Sequence, residues 1–268
     1  RLAHEYPRRE QVMQYGEDDL TFISRLLGEV GIWFRFTADT RLNIDVAEFF
    51  DDQQHYEAGL MLPSVAPSGQ HDRGSESVWD LQSRHHVVER SVFTRDYNYR
   101  NAPEDMNLNI NVSRGDSTTY GEAYHWADNY LAPGNRYQHT PDPESGAFYA
   151  RIRHERYLNQ QTRLSGETNC ATLAPGQLLK VNGGEEVTEV WRRGVAITAI
   201  HCRARRDRSF EVTFQAIPSV ETYCFRPAII SKPKMAGTLP ARVTSTKIND
   251  LYGHIDRDGR YRVNLLFD

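Results

Sequence analysis

The feature that most constrains the fold of this sequence is a change in the spacing of its apolar residues at Gly31. Before this glycine, apolar residues recur at the three- and four-residue intervals of a helix that buries one face: Phe22, Ile23, Leu26, Leu27 and Val30. Asp18 is the expected N-cap, because its carboxylate can accept from the free backbone N–H groups of the first turn. After Gly31, apolar residues alternate over 32–36 and 42–46, with a connection at 37–40. The chain is therefore predicted to begin with a helix over 18–30 and a β-hairpin.

Alternation dominates the rest of the chain. Residues 51–77 contain Pro63, Pro67, Gly69 and Gly74 among polar residues and are predicted to form a long loop. Strands are expected at 78–79, 86–99 and 106–112, and a helix at 143–159. Later strands are expected at 178–181, 187–191, 195–201 and 210–217, then an extended connection to 240 and a final hairpin around a turn at 256–259. The predicted class is mainly β with a few helices, arranged as an antiparallel barrel or sandwich.

Charge and hydropathy exclude several functions. The formal net charge is −4, which provides no electrostatic reason to expect a nucleic-acid partner. No apolar run reaches the roughly 18 residues of a membrane helix, and the first residues lack the apolar stretch of a secretory signal peptide. Cys170, Cys202 and Cys224 have neither disulfide-framework nor zinc-site spacing, so we expect reduced thiols in a chain made in a reducing compartment.

Histidines do not form a recognisable metal site in the sequence. His154-Glu155 begins like a zinc-protease helix, but the second histidine of that motif is replaced by Leu158. His85 and His86 are adjacent, so on a strand they point to opposite faces. We therefore predict no metal-binding residue.

Catalytic and calcium motifs are also incomplete. Residues 256–259 resemble the start of a calcium loop, but Phe267 stands where the bidentate glutamate is required. Gly115-Asp116-Ser117 lacks the final glycine of a nucleophile elbow. We predict no catalytic or cofactor-binding residue and no cofactor. Two alternatives stay open: the arginine-rich run 203–208 is a docking patch or a solvated hairpin tip, and scattered carboxylates could form a hydrolase site on folding.

Five blocks, taken in order, resemble one known family. They are Gln14–Leu27 with Gly31-Ile32, Val78-Trp79 with Arg95–Tyr99 and Pro103, Gly166 with Leu173–Gly176, Phe214–Pro218 with Phe225–Pro227, and Pro233–Gly237 with Ala241–Val243 and Ile255–Val263. Together they resemble the VgrG family, the spike proteins of bacterial type VI secretion systems, which are related to the hubs of contractile phage tails.

The resemblance implies a hub with two related β-barrels per subunit, three subunits, and a ring that stacks on a hexameric Hcp-type tube protein. It implies residues 1–75 as the helix and hairpin part of the hub and 76–220 as a second tube-like barrel with a helical insertion. Residues 221–240 would be a linker, and 241–268 the start of a small barrel of the oligonucleotide/oligosaccharide-binding type. The family's first tube barrel is expected to be absent from this sequence, which stops at Phe267-Asp268 where family members often continue.

The function implied is a structural spike component, not an enzyme. It would cap the tube, help puncture target membranes mechanically and deliver effectors carried through the spike tip and downstream regions. It would be made in the bacterial cytoplasm and secreted when the apparatus fires. The alternatives are a phage tail hub with the same fold, or a hydrolase of cell wall or glycan.

Overall fold

The computed structural model describes residues 2–65, 75–126, 128–138 and 141–267. Its helices are α1 (Asp19–Glu29), α2 (Gly146–Gln161) and α3 (Glu189–Arg193). Its strands are β1 (Trp33–Asp39), β2 (Ile44–Phe50), β3 (Glu57–Pro63), β4 (Val78–His85), β5 (Ser91–Arg95), β6 (Asn107–Ile110), β7 (Glu122–Trp126), β8 (Thr162–Thr168), β9 (Gln177–Asn182), β10 (Val195–Arg205), β11 (Arg208–Pro218), β12 (Ala241–Val243) and β13 (Val263–Leu265). The predicted mainly β class with a few helices is confirmed.

Contacts divide the chain into two compact units. The main unit comprises Arg1–Gln14 and Asp18–Ile230, and the small unit comprises Tyr15–Glu17 and Ser231–Asp268. The four-part division expected from the family resemblance stays a prediction.

Both ends of α1 match their predicted signals. The Asp18 carboxylate accepts from the backbone N–H of Thr21 at 2.9 Å. At the other end, Gly31 has a φ of +76°. The N–H groups of Gly31 and Ile32 donate to the carbonyls of Gly28 and Leu27, which is the double hydrogen bond of a Schellman ending.

The predicted apolar face of α1 is only partly buried. Ile23 is exposed and Leu26 is half-buried, whereas Arg25 and Gly28 are the buried residues of the helix. The side of the helix that carries Arg25 packs inward because its guanidinium lies over the Phe22 ring and binds Glu29 and the carbonyl of Met13. The prediction that Ile23 lies in the core was wrong.

A curled six-stranded sheet contains the largest core. Its order is β3-β9-β10-β11-β8-β4, in which β3 pairs with β9 in parallel and the other pairs are antiparallel. A parallel bridge between Ser64 and Val78 also links the two outer strands, so the sheet bends back on itself. Trp191, Phe214, Leu179 and Val195 are among the fully buried residues inside.

A second, three-stranded sheet of order β6-β5-β7 packs against α2. Leu108, Ile110 and Val92 form the contact with Ala147 and Ala150 of the helix. The predicted alternation over 106–112 is confirmed for Met106, Leu108 and Ile110, which are buried. The helix lies so close to the sheet that a Cβ at Gly146 would come within 2.5 Å of Leu108.

Three further predictions were wrong. The segment 51–77 is not one loop, because β3 and a short 3-10 turn at Gln53–His55 lie within it; its Pro67, Gly69 and Gly74 lie outside the described residues. The run 187–191 is not a strand, since most of it belongs to α3. The strand expected over 86–99 is shorter and begins at Ser91, after β4 has ended at His85.

The small unit contains little secondary structure. β12 pairs with β13 in an antiparallel ladder, and Ile255 bridges Tyr261 across the predicted turn at 256–259. The Asp256 carboxylate accepts from the backbone N–H groups of Asp258 and Arg260, both at 2.9 Å. These pairings agree with the predicted hairpin; the complete small barrel stays a prediction.

Candidate assembly surfaces

The residues considered as metal ligands in the sequence are not brought together. Within the described ranges, no group of three or more histidine, cysteine, aspartate or glutamate side chains could hold a metal ion. His85 and His86 are exposed at the end of β4, where the His85 ring contacts Thr162. Asp116, in the second incomplete motif, accepts from the N–H and hydroxyl of Thr118 and so organises a turn. The three cysteines are unpaired thiols, two of them buried.

His154 has a structural role inside the main unit. It is buried, and its Nδ1 accepts from the backbone N–H of Val112 at 2.9 Å. Its Nε2 lies 3.1 Å from the carbonyl oxygen of Glu89, so Nε2 carries the proton and donates. Burial lowers the pKa of His154, which favours this neutral form. His154 therefore ties α2 to the residues that precede β5 and to those that follow β6.

A buried ionic network joins two of the sequence motifs in space. The Arg226 guanidinium pairs with the Glu155 carboxylate of α2 and donates to the carbonyls of Gly31 at 3.1 Å and Asp51 at 2.7 Å. Burial alone would lower the pKa of Arg226, but the Glu155 carboxylate raises it. The helix ending at Gly31 and the Phe225-Arg226-Pro227 motif are thus joined through one side chain.

Further hydrogen bonds extend this network around Arg226 and around Asp51. Asn159 accepts from the Arg226 backbone N–H and donates to the Cys224 carbonyl, which fixes the backbone of the motif against α2. The Asp51 carboxylate accepts from the backbone N–H groups of Ala3 and His4 and from the hydroxyl of Tyr6. The residues of this network are far apart in sequence. In the sequence, only the Phe225-Arg226-Pro227 motif drew attention to Arg226.

The β1–β2 hairpin is held against the six-stranded sheet by Arg35. Its guanidinium binds Glu48 across the hairpin, Glu57 at the start of β3 and the carbonyl of Pro175. Trp33 covers Gly176, where a Cβ would come within 2.7 Å of the indole ring. The hairpin that follows α1 therefore packs on the Pro175-Gly176 motif.

The β10–β11 hairpin extends beyond the strands that flank it. β9 pairs with β10 only at Val195 and Ala196, and β8 pairs with β11 only over Val212–Ala216. All residues of 201–207 are exposed, among them Arg203, Arg205 and Arg206. The arginine-rich run therefore lies at the solvated tip of a hairpin, which was one of its two open interpretations.

The face of the three-stranded sheet turned away from α2 is aromatic and polar. Phe93 of β5 stacks on Tyr124 of β7 at a centroid distance of 5.8 Å. Tyr124 and Trp126 are more than half exposed on this outer strand, which the sequence analysis did not predict. Exposed tyrosine and tryptophan are enriched at the centres of protein interfaces.

In the described part of the chain, no helix is long and apolar enough to cross a membrane.

Comparison with known proteins places this fold among tail hubs. A family model described as phage tail baseplate hub (GPD) matches residues 1–207. A solved structure of the Escherichia coli c3393 protein is 46% identical, covers 99% of this chain and superposes with a TM-score of 0.68. It is described as a component of the type VI secretion system with structural similarity to the T4 bacteriophage tail proteins gp27 and gp5.

Two spike proteins of the type VI secretion system of Pseudomonas aeruginosa are also similar. VgrG1c is 25% identical over 164 residues, or 61% of this chain and 21% of its own length. VgrG1b is 22% identical over 183 residues, or 68% of this chain and 23% of its own length. The chain thus spans less than a quarter of either relative and 54% of the solved Escherichia coli chain. The family model covers most of the sequence, so this chain belongs to the phage tail baseplate hub (GPD) family.

Proposed function

We propose that the chain is the hub part of a VgrG-like spike in a type VI secretion apparatus. The observation that carries this proposal is the 46% identity over nearly the whole chain to a secretion-system component. The match to a tail-hub family supports the same role, because it concerns the same fold and covers residues 1–207. The identity to a secretion component favours that system over a phage tail.

The proposed assembly is a homotrimer that stacks on a hexameric Hcp-type tube. Parts of the spike other than this chain would carry the tip and the effectors, and the target membrane would be contacted only mechanically. The protein would be made in the cytoplasm and leave the cell when the apparatus fires. Support for assembly comes from the exposed aromatic strand β7 and from the projecting β10–β11 hairpin.

The arginines of this hairpin provide the docking surface in the proposal. Arg203, Arg205 and Arg206 are exposed at the tip of a hairpin in a chain whose net charge is −4. A positive projection on a negative protein is suited to an acidic partner surface, and charge complementarity sets the encounter rate and register of such contacts. No catalytic group is assigned, since the proposed work is mechanical.

Export of the tube protein tests the proposal. In the bacterium that carries this chain, the gene is replaced by a variant with Arg205→Glu and Arg206→Glu, and tube protein is measured in the culture medium. We expect export to fall by about tenfold or more, because two charge reversals oppose an acidic partner. The matched control reverses Arg41 and Arg257, which are exposed elsewhere, and should export normally.

Histidine variants complete the same experiment. His85→Ala and His86→Ala should keep export, because both rings are exposed and no reaction depends on them. His154→Ala is unsuitable as a catalytic probe, since this ring is buried and its loss disturbs packing. Normal export from the hairpin variant, or loss of export from the exposed histidine variants at normal protein level, would contradict the proposal.

A further inference from the structure

A cleft beside α2 has a lining that the hub role does not explain. It has a volume of about 280 Å³ and lies between the end of β6, residues 136–138 with Pro141, and Arg151 of α2. Its lining residues are Ile110, Asn111, Val112, Arg114, Arg136, Tyr137, Gln138, Pro141 and Arg151. This volume lies just below the roughly 300–1,000 Å³ of ligand pockets, so a ligand here would be small.

The charge of the lining has one sign. Three of its residues are arginines and none is an aspartate or glutamate. Arg114 and Arg136 are exposed, and among the described residues neither forms an ion pair. Like charges that line one small cleft repel each other, and an anion bound between them would offset this repulsion. The chain as a whole is acidic, so this arrangement is not a consequence of an overall excess of positive charge.

Arg151, the third arginine of the lining, is held in place by its own contacts. Arg151 binds Glu155 at 2.9 Å and the carbonyl of Thr222 at 3.1 Å, which holds its side chain in place. Glu155 also pairs with Arg226, so one buried carboxylate faces two guanidinium groups. Among the described residues, the one carboxylate that pairs with Arg151 is therefore shared with Arg226.

The remaining lining residues suit an oxyanion. Asn111 and Gln138 can donate through their amides and Tyr137 through its hydroxyl. The Arg136 guanidinium lies 5.9 Å from the centre of the Tyr137 ring, a contact that orients it. Ile110, Val112 and Pro141 contribute apolar surface, which strengthens charge–charge attraction in the cleft. Arginine forks match the oxygen spacing of phosphate groups.

We infer that this cleft binds a phosphate group, free or carried by a small molecule. The dianion would lie between Arg114, Arg136 and Arg151, with the amides and the phenol completing its hydrogen bonds. The inference is independent of the proposed hub role, because the lining arginines are not those of the β10–β11 hairpin. A failure here would leave the hub proposal unchanged.

Calorimetric titration of the chain with sodium phosphate at pH 7.5 tests the site, with sodium chloride at equal ionic strength as the reference. We expect saturable binding of one phosphate per chain. Replacing Arg114 and Arg136 by glutamine should weaken binding about tenfold or more, because each removes a charge-assisted hydrogen bond. Arg151 is left intact, because it also holds Thr222 and Glu155.

The matched control replaces Arg41 and Arg192, two exposed arginines that neither line the cleft nor belong to the β10–β11 hairpin, by glutamine. This variant carries the same change in net charge and should bind phosphate within about twofold of the unmodified chain, because a distant exposed charge is screened by salt. Equal melting temperatures in chloride verify that all variants are folded. Absence of saturable phosphate binding, or equal weakening in the two variants, would overturn the inference.

Discussion

The main unit and the small unit use their apolar residues in opposite ways. In the main unit, Trp191, Phe214 and Ile152 are fully buried within continuous clusters. In the small unit, Ile248 and Leu251 are 95% and 92% exposed, and the two strands have three residues each. The main unit therefore has continuous apolar cores, whereas the small unit leaves large apolar side chains at its surface.

The two units also differ in how far apart in sequence their hydrogen-bonded residues are. The main unit is tied together by bonds that span long stretches of sequence, such as Arg226 to Gly31, 195 residues apart. The hydrogen bonds at the turn of the small unit are local, such as those from Asp258 and Arg260 to Asp256. We therefore expect substitutions to lower the free energy of unfolding strongly in the main unit and weakly in the small unit.

The largest effect is expected from Arg226→Met. Removal of the guanidinium leaves the buried Glu155 carboxylate with one partner and frees the carbonyls of Gly31 and Asp51. Loss of one member of a buried ion pair costs about 3–5 kcal/mol. Urea unfolding followed by tryptophan fluorescence measures the change, since all four tryptophans lie in the main unit.

The matched control for this variant is Arg257→Met in the exposed turn of the small unit. It removes the same charge and should change the free energy of unfolding by less than about 0.5 kcal/mol. Similar effects of the two substitutions would mean that the Arg226 network does not hold the main unit together.

A smaller effect is expected from a pair of glycine substitutions. Gly31 and Gly259 have almost the same backbone conformation, with φ values of +76° and +77°. A Cβ at Gly31 would meet Arg226 Cδ at 2.8 Å and Ile152 Cδ1 at 3.0 Å, whereas at Gly259 nothing lies within 4 Å. Both alanine variants incur the left-handed backbone cost of about 1–2 kcal/mol, and Gly31→Ala adds overpacking of about 1–3 kcal/mol.

Thermal unfolding of the two alanine variants measures this difference. We expect Gly31→Ala to lower the melting temperature of the main unit clearly more than Gly259→Ala lowers any transition. Equal shifts would show that packing around Gly31 is loose, and the contrast between the units would then lose one of its supports.

Local features were predictable from the sequence. The Asp18 cap and the glycine ending at Gly31 depend on neighbouring residues, and both were found as expected. The hairpin after them was found as well, but its connection lies at 40–43 and not at 37–40, because residues 37–39 still belong to strand β1. Strand β3 was missed because its pairing with β9 is determined by a partner more than a hundred residues away. The five-residue helix α3 was missed because Val187–Trp191 contains β-branched and aromatic residues typical of strands.

The candidate surfaces were less predictable than the fold. The arginine run at 203–208 was visible, but its exposure depends on how far β8 and β9 extend along the hairpin. Ile23 was placed in the core because periodicity does not reveal that Arg25 takes the buried position through Glu29 and Met13. The arginine-lined cleft joins Arg114, Arg136 and Arg151, which no local pattern connects.

The mass of the assembled protein in solution tests the hub account most directly. Size-exclusion chromatography with light scattering is applied to the protein that carries this chain, at micromolar concentration and moderate salt. A hub should bury well above the roughly 1,600 Å² of a standard interface, so the account predicts a mass of three chains that persists on dilution. A single species with the mass of one folded chain would contradict it.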